Sequence, residues 1–180
     1  MDSKLQIISG EFRGRKLRLP AGARPTQNRA RIALFNVMQS MGLQPGMVWD
    51  AFAGSGAFGI ECLSRWPECN AVFSDLAPTT VRGNLAAMNI GVRASVVAGD
   101  AMSYVGKYGS AADLIFVDPP YADADVGATF VKKVGAVARP GAILIWEQDG
   151  QSATLPDLTV WEIVRDKQYG RARFLFLCKK

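Results

Sequence analysis

The feature that most constrains the fold is a repeated pattern of short apolar runs that each end in an acidic residue. Five such runs lie between residues 47 and 147, and helical stretches such as TTVRGNLAAMNI separate them. The acids that end the runs are Asp50, Asp75, Asp100, Asp118 and Glu147. Near-continuous apolar strands that alternate with helices are typical of a parallel sheet covered on both faces. The sequence therefore predicts a doubly wound α/β domain.

The C-terminal part of the chain breaks this alternation. The stretch TVWEIVRDKQYGRARFLFLCKK contains two strand-like runs around a glycine-containing turn, with no room for a helix between them. The two runs should therefore pair antiparallel at the edge of the sheet. Five parallel strands followed by such a hairpin resemble the arrangement of class I methyltransferases, although the order of the strands is not readable from the sequence.

The N-terminal region is basic and has a different pattern. Residues 1–31 contain eight Lys or Arg and two Asp or Glu, a local charge of +6 against +5 for the whole chain. In the stretch KLQIISGEFRGRKLRLP, apolar and polar residues alternate on either side of Gly10 and Gly14, which predicts a β-hairpin. The stretch RARIALFNVMQSMG has roughly helical spacing of its apolar residues and predicts a helix that ends near Gly42. Such a charged segment is either a solvated face or an arm that follows the phosphates of a nucleic acid.

Composition excludes several kinds of chemistry. The chain has no histidine, which removes Ser-His-Asp and Cys-His nucleophilic schemes and most transition-metal sites. Its three cysteines form no C-x-x-C pair, so we expect buried thiols rather than disulfides or a metal site. No apolar run approaches the ~20 residues that span a bilayer, and the N-terminus lacks the pattern of a signal peptide. We therefore expect a soluble cytoplasmic protein.

A glycine-rich stretch follows the first apolar run. Residues 54–59, Gly-Ser-Gly-Ala-Phe-Gly, match the nucleotide-binding pattern G-x-G-x-x-G, and Asp75 follows at the distance that this pattern requires. Asp50 precedes Gly54 by four residues, where a dinucleotide would place its anionic pyrophosphate, and like charges at close range repel. S-adenosylmethionine has no phosphate and carries an ammonium and a sulfonium group, which suit an acid. A structural alternative for Asp50 is an acid that stabilises the start of the next helix.

The sequence thus favours S-adenosylmethionine as the cofactor. In this interpretation Asp75 binds the ribose hydroxyls and Asp100 binds the adenine amino group, while the glycines let the backbone approach the methionine portion. The residues that we assign to the cofactor are Asp50, Phe52, Gly54, Ser55, Gly56, Asp75, Leu76, Asp100 and Ala101.

The tetrapeptide Asp118-Pro119-Pro120-Tyr121 ends the fourth apolar run. Its prolines have no N–H group, so the turn presents carbonyl oxygens as hydrogen-bond acceptors. An exocyclic base amine needs acceptors because its lone pair is conjugated with the ring, and bonds to the Asp118 carboxylate and the Pro119 carbonyl favour a pyramidal nitrogen. The Tyr121 ring offers a face for stacking the base, worth about 1 to 3 kcal/mol. The tetrapeptide therefore predicts methyl transfer to an amino group of a nucleobase.

With these motifs the chain resembles the bacterial RsmD-type methyltransferases, which methylate N2 of one guanine, guanine 966, in 16S ribosomal RNA. The resemblance extends over nearly the full length and rests on IISGEFRGRKLRLP, RPTQNRARIALFN, DAFAGSGAFGIECLSR and DPPY. The last two stretches are shared with many adenine and guanine amino-methyltransferases, whereas the first two are more specific.

The resemblance implies an N-terminal RNA-binding extension over residues 1–42 and a methyltransferase domain with a Rossmann-like fold over residues 43–180. The residues that inherit the RNA-binding role are Arg13, Arg15, Lys16, Arg24 and Arg29. The implied partner is 16S rRNA within an assembling or assembled 30S subunit. We expect a monomer that requires no metal and binds no membrane.

Two positions depart from the family pattern, and two other functions stay open. Asn28 stands where the family usually has Asp, and VFSDL replaces the usual Val-Glu-x-Asp, so Asp75 is the remaining candidate for the ribose. An N6-adenine methyltransferase acting on RNA or DNA would use the same tetrapeptide. A non-catalytic Rossmann module that binds NAD or RNA is the second alternative, although it leaves Asp118 and Tyr121 unexplained.

Overall fold

The computed structural model describes residues 5–22, 28–120 and 124–180. The helices in these ranges are α1 (Asn28–Ser40), α2 (Ala57–Arg65), α3 (Thr79–Ala87) and α4 (Ala124–Gly135). The strands are β1 (Met47–Asp50), β2 (Asn70–Asp75), β3 (Ala94–Ala98), β4 (Leu114–Val117), β5 (Ile143–Asp149), β6 (Trp161–Tyr169) and β7 (Ala172–Lys179). A 3₁₀ turn (Ala101–Tyr104) and a π-helical turn (Val105–Gly109), which the sequence did not indicate, connect β3 to β4.

The seven strands form one sheet in the order β3-β2-β1-β4-β5-β7-β6. Strands β1 to β5 are parallel, and β7 pairs antiparallel with both β5 and β6. This confirms the predicted α/β architecture with an antiparallel C-terminal pair. The chain moves outward from β1 to β3 and then returns to β4 on the other side of β1. Such a reversal of strand order creates a crevice at the carboxyl ends of the two central strands.

Both faces of the sheet are covered by apolar side chains. On one face Phe58 of α2 stacks on Phe116 of β4, with ring centroids 4.0 Å apart. On the other face Trp49 of β1 packs against Phe130 of α4, with ring centroids 5.2 Å apart. Because successive side chains of a strand point to opposite faces, burial on both faces makes the strands nearly continuous apolar runs.

The predicted N-terminal hairpin is present in a reduced form. One isolated antiparallel bridge joins Gln6 to Lys16, and the N–H of Leu17 donates to the carbonyl of Leu5 at 2.9 Å. The residues between these ends form turns rather than regular strands. Four apolar side chains of the segment are buried: Leu5, Ile7, Phe12 and Leu17. They belong to the same core cluster as α1 and α2.

Two polar side chains of α2 hold this N-terminal segment in place. The carboxylate of Glu61 accepts hydrogen bonds from the backbone N–H groups of Ile8 at 2.7 Å and Ser9 at 3.0 Å. The hydroxyl of Ser64 accepts the N–H of Phe12 at 2.9 Å and donates to the carbonyl of Ser9 at 2.6 Å. The segment therefore shares a core with the α/β domain, while a functional division near residue 42 stays a prediction.

Arg31 has a structural role, although it contributes to the positive charge of the N-terminal region. Its side chain lies in α1 and is only 4% exposed. One guanidinium nitrogen donates to the carbonyl of Gln6, and burial lowers the pKa of the group. Arg31 is thus directed into the protein and is not available to a phosphate on the surface.

Candidate active site

Acidic residues lie at the carboxyl edge of the sheet on four adjacent strands, as the sequence pattern predicts. They are Asp75 of β2, Asp50 of β1, Asp118 directly after β4 and Glu147 of β5. Val117 pairs in register with Trp146, so the next residues, Asp118 and Glu147, lie side by side on one face of the sheet. The edge therefore combines several carboxyl groups within the crevice expected for a ligand.

The glycine-rich stretch forms a tight loop between β1 and α2. Asp75 holds this loop because one carboxylate oxygen accepts the N–H of Gly54 at 2.7 Å and the other accepts the N–H of Ala77 at 2.8 Å. Gly56 caps α2 with φ +76°, and a Cβ atom there would lie 2.6 Å from the side chain of Val81. The space where Gly54 would carry a Cβ atom is open within 4 Å. A ligand can therefore approach the backbone at Gly54.

Asp50 lies beneath this loop and is 1% exposed. One of its carboxylate oxygens accepts the N–H of Gly59 in the first turn of α2 at 3.0 Å. Burial raises the pKa of Asp50 to about 7; the Gly59 hydrogen bond opposes this rise and the charge of Asp75 adds to it. The Gly59 contact is the one expected of an acid that stabilises a helix start, so Asp50 has a structural role whether or not it also contacts a cofactor.

Asp118 is partly exposed at the end of β4, with Pro119 buried and Pro120 exposed after it. Desolvation of its carboxyl, followed by the negative charges of Glu147 and Asp50, raises the pKa of Asp118 well above the ordinary range. Carboxyl groups with strongly raised pKa values occur frequently at functional sites. Tyr121 lies outside the described residues.

The other residues assigned to the cofactor lie just after the carboxyl ends of β1, β2 and β3. Asp100 follows β3, is exposed, and accepts the N–H of Met102 at 2.9 Å, which places Ala101 at the start of the 3₁₀ turn. Leu76 is 80% exposed, and the partly buried Phe52 packs edge-on against Phe130 at 5.2 Å. The structure thus brings the cofactor candidates of β1, β2 and β3 to one edge of the sheet, and their assignment to a ligand stays a prediction.

Asn84 was not recognised from the sequence. It lies in α3, is 2% exposed, and its side-chain amide donates to the carbonyl of Ser55 in the glycine loop at 2.8 Å. The same side chain accepts the N–H of Arg18 at 2.8 Å and donates to the carbonyl of Arg18 at 3.0 Å. A polar residue inside a helical pattern gives no local signal of such contacts, because both partners lie far away in the sequence.

The predicted RNA-binding cations lie on the surface where the structure describes them. Arg13, Arg15, Lys16 and Arg29 are exposed. The guanidinium of Arg15 donates to the carbonyl of Ala87 at 3.3 Å, which brings it next to the end of α3. Arg24 lies outside the described residues. Arg13, Arg15 and Lys16 belong to the segment that Asn84 joins to the glycine loop, so this part of the predicted RNA-binding region is physically connected to the predicted cofactor site.

No group of three His, Cys, Asp or Glu residues in the described ranges is arranged to hold a metal ion. Nor does any helix in the part of the chain that the structure describes have the length and apolar character needed to cross a membrane.

The strand order, the antiparallel C-terminal pair and the glycine loop after β1 define the class I methyltransferase fold. The solved structure of a putative methyltransferase, yhhF, from Escherichia coli superposes with a TM-score of 0.78 and 31% identity, and the match covers 97% of each chain. A putative SAM-dependent methyltransferase from Streptococcus mutans superposes with a TM-score of 0.67 over 87% of this chain and 50% of that one. At 14% identity this second likeness shows the fold alone.

A family model described as "Conserved hypothetical protein 95" matches residues 5–178. The chain belongs to this family, that of the RsmD-type methyltransferases.

Two curated relatives carry names that refer to ribosomal RNA. "Ribosomal RNA small subunit methyltransferase D" of Escherichia coli (strain K12) is 39% identical over 122 residues, which cover 66% of this chain and 61% of that protein. "Putative rRNA methyltransferase YlbH" of Bacillus subtilis (strain 168) is 33% identical over 177 residues, which cover 92% of this chain and 94% of that one.

Proposed function

We propose that this protein transfers a methyl group from S-adenosylmethionine to the exocyclic N2 of a guanine in 16S rRNA, the guanine 966 type of site. The observation that carries the proposal is the placement of Asp118 and Pro119 at the carboxyl end of β4, next to the glycine loop that follows β1. Membership of the RsmD-type family supports the same substrate. The proposed substrate also implies that the protein acts in the cytoplasm.

The residues present fit S-adenosylmethionine. The open space beside Gly54 admits a ligand to the loop, and the buried carboxyl of Asp50 lies beneath it. Acids rather than bases end the adjacent strands, which suits a cofactor with cationic groups and no phosphate. Asp75 and Asp100 are the residues that would hold the ribose and the adenine. When bound, S-adenosylmethionine supplies an electrophilic methyl group.

The chain's own residues prepare the base amine for methylation. The Asp118 carboxylate and the Pro119 carbonyl accept the two N–H groups of the amine, which favours a pyramidal nitrogen whose lone pair is directed at the methyl group. The amine proton becomes acidic only as the N–C bond forms, so a carboxylate or solvent can accept it. The reaction therefore needs no histidine as a base, and the chain contains none. Tyr121 is proposed to stack on the base.

The N-terminal segment is proposed to bind the RNA backbone through Arg13, Arg15, Lys16, Arg24 and Arg29. Phosphate contacts orient an RNA without specifying a base, so the arm positions the substrate and the crevice selects the nucleotide. The guanine must be unpaired or flipped out of its stack to reach Asp118. A partly assembled 30S subunit presents such a nucleotide in a fixed context, and we propose it as the substrate of a monomeric enzyme.

The direct test is methyl transfer with purified components. Small subunits from a strain that lacks the corresponding activity are incubated with the protein and labelled S-adenosylmethionine, and the 16S rRNA is digested and mapped by mass. We expect N2-methylguanosine at one position. Naked 16S rRNA, tested in parallel, distinguishes the two forms of substrate. N6-methyladenosine instead of N2-methylguanosine would reject the proposed specificity, and no incorporation into either RNA would reject the proposed function.

A further inference from the structure

Glu147 ends the fifth apolar run, and neither the cofactor nor the amine chemistry assigns it a role. It lies in β5 next to Asp118, because Val117 and Trp146 pair in register and the following residues share a face. It is 4% exposed, and its charge is near enough to contribute to the raised pKa of Asp118. The two carboxyl groups therefore form a close pair at the point where we propose that the base amine is held.

A small pocket opens beside Glu147, although Asp118 itself is not among the residues that line it. Its lining includes Pro119 and Pro120 of the tetrapeptide together with Trp146 and Glu147 of β5. A base whose amine bonds to Asp118 and the Pro119 carbonyl thus has β5 beside it. Because Asp118 and Glu147 are neighbours in register, we place the carboxyl of Glu147, rather than that of another β5 residue, beside this amine.

From this geometry we infer that Glu147 accepts the N1–H of the target guanine and so determines the choice of guanine over adenine. The inference rests on the proposed function. On the Watson–Crick edge of guanine, N1–H lies next to the N2 amine, so two neighbouring carboxyl groups meet two neighbouring donors. Adenine presents its amine next to N1 without a hydrogen, and that lone pair would face the carboxylate of Glu147. Two carboxyl groups repel each other when ionised, and a pair of N–H donors offsets that repulsion.

The experiment replaces the target guanine with 2-aminopurine, which keeps the 2-amino group but has an unprotonated N1 and no 6-oxygen, so the Glu147→Gln comparison is needed to assign the effect to N1. Small subunits are reconstituted with 16S rRNA that carries either base at the target position, and initial rates of methyl transfer are compared. The wild-type enzyme should prefer guanine by about tenfold or more, as expected for one charge-assisted hydrogen bond lost and one repulsion gained. Glu147→Gln should reduce this preference by a similar factor, because an amide can donate to the N1 of 2-aminopurine.

The matched control is Asp166→Asn, which changes an acid of β6 that is paired with Arg173 at 2.6 Å and does not line this pocket. Its preference for guanine should equal that of the wild type. An active Glu147→Gln enzyme with an unchanged preference would overturn the inference. Should Glu147→Gln not fold, Glu147→Ala takes its place, and equal rates of the wild type on the two bases overturn the inference in either case. A wild type that methylates neither base rejects the proposed function, and the inference with it.

Discussion

Asn84 donates a hydrogen bond to the carbonyl of Ser55 at 2.8 Å, and through the same amide it binds both backbone groups of Arg18. One buried side chain thereby joins the glycine loop to the N-terminal segment. The two regions that we assign to the cofactor and to RNA are therefore linked by a residue of α3, in addition to the hydrogen bonds that Glu61 and Ser64 of α2 make with the segment.

The first prediction concerns this link. Asn84→Asp keeps an acceptor for the N–H of Arg18 but removes the donor to the carbonyls of Ser55 and Arg18. We expect the free energy of unfolding to fall by about 1 to 3 kcal/mol, the cost of leaving buried polar groups without partners. We also expect weaker S-adenosylmethionine binding, because the loop loses a support. Urea unfolding and calorimetry measure the two effects.

The control for Asn84 is Asn36→Asp, the same chemical change at an exposed position of α1. It should change neither the free energy of unfolding nor the free energy of S-adenosylmethionine binding by more than a few tenths of a kcal/mol. An Asn84→Asp protein as stable as this control would show that the amide donor contributes nothing to the docking of the segment.

A second prediction follows from the buried carboxyl of Asp50. Its folded-state pKa of about 7 lies above the ordinary value of 3.8, so the folded protein holds this proton more strongly than the unfolded chain does. The associated stability is fully present below about pH 4 and is lost as the pH rises to about 7. Asp50→Asn keeps an acceptor for Gly59 and does not titrate.

The variant should therefore gain stability relative to the wild type between pH 4 and pH 8, by an amount on the order of a few kcal/mol. Denaturant unfolding at several pH values measures the difference between the two proteins, which cancels the titration of all other groups to a first approximation. A constant difference over this range would mean that Asp50 is ionised in the folded protein already at low pH.

The third prediction separates base binding from cofactor binding. Asp118→Ala and Tyr121→Ala should each abolish methyl transfer while the affinity for S-adenosylmethionine stays within several-fold, because both residues are assigned to the target base. Asp50→Ala should do the opposite, so that its first effect is a lower affinity for S-adenosylmethionine. Calorimetry and rRNA methylation are measured on the same preparations, and a normal methylation rate in either of the first two variants would remove that residue from the site.

The fourth prediction concerns the charge of the N-terminal segment. Replacing Arg13, Arg15 and Lys16 with glutamine should weaken RNA binding and flatten its dependence on salt, since each phosphate contact contributes a slope of roughly −0.7 on single strands. Three lost contacts correspond to a change of about two in that slope. Cofactor affinity should not change.

The matched control replaces three exposed lysines elsewhere, Lys107, Lys133 and Lys180, with glutamine and so removes the same net charge. RNA affinity is measured at several salt concentrations for all three proteins. Equal slopes for the two triple variants would show that the N-terminal segment has only a general electrostatic effect and that the RNA docks elsewhere.

The fifth prediction compares two glycines of the N-terminal segment. Gly10 and Gly14 have nearly the same backbone conformation, with φ of +85° and +81°. A Cβ atom at Gly10 would lie 1.9 Å from the carbonyl oxygen of Ser64, whereas one at Gly14 would meet nothing within 4 Å. Gly14→Ala should cost about 1 to 2 kcal/mol of conformational strain, and Gly10→Ala should cost more because the segment must also move off α2.

Thermal unfolding and RNA affinity of the two alanine variants give the comparison. Equal losses of stability would mean that the contact between Gly10 and Ser64 is not maintained in solution. A selective loss of RNA binding in Gly10→Ala would connect the docking of the segment to substrate binding.

Much of the fold could be predicted because its signals are local. Each of the strands β1 to β5 ends in an acid or is followed by one within two residues, and the glycine between β6 and β7 marks a turn too short for a crossover helix. The order of the strands has no such signal, since it depends on which apolar faces pack together across the whole chain. For the same reason the sequence does not show that Arg31 is buried. It counts toward the positive charge of its segment, but its side chain donates to the carbonyl of Gln6 inside the protein.

The candidate site was predicted unevenly for a similar reason. Asp118 and the glycine loop lie in distinctive stretches, so their chemistry is visible in the sequence. The hydrogen bonds of Asp75 to Gly54 and of Asn84 to Ser55 connect residues that are 21 and 29 positions apart, and no short pattern encodes them. The pairing of Glu147 with Asp118 is visible only once β4 and β5 are known to be neighbours.

The position of β7 between β5 and β6 has a consequence for biosynthesis. β6 is synthesised before β7, yet β6 pairs only with β7 in the sheet. The outer edge of β5 is also covered by β7. Until β7 has paired with both neighbours, the chain exposes an unpaired edge of β5 and a nine-residue strand without its ladder partner. Unpaired strand edges of this kind promote aggregation, so the chain is most vulnerable in the interval before β7 docks.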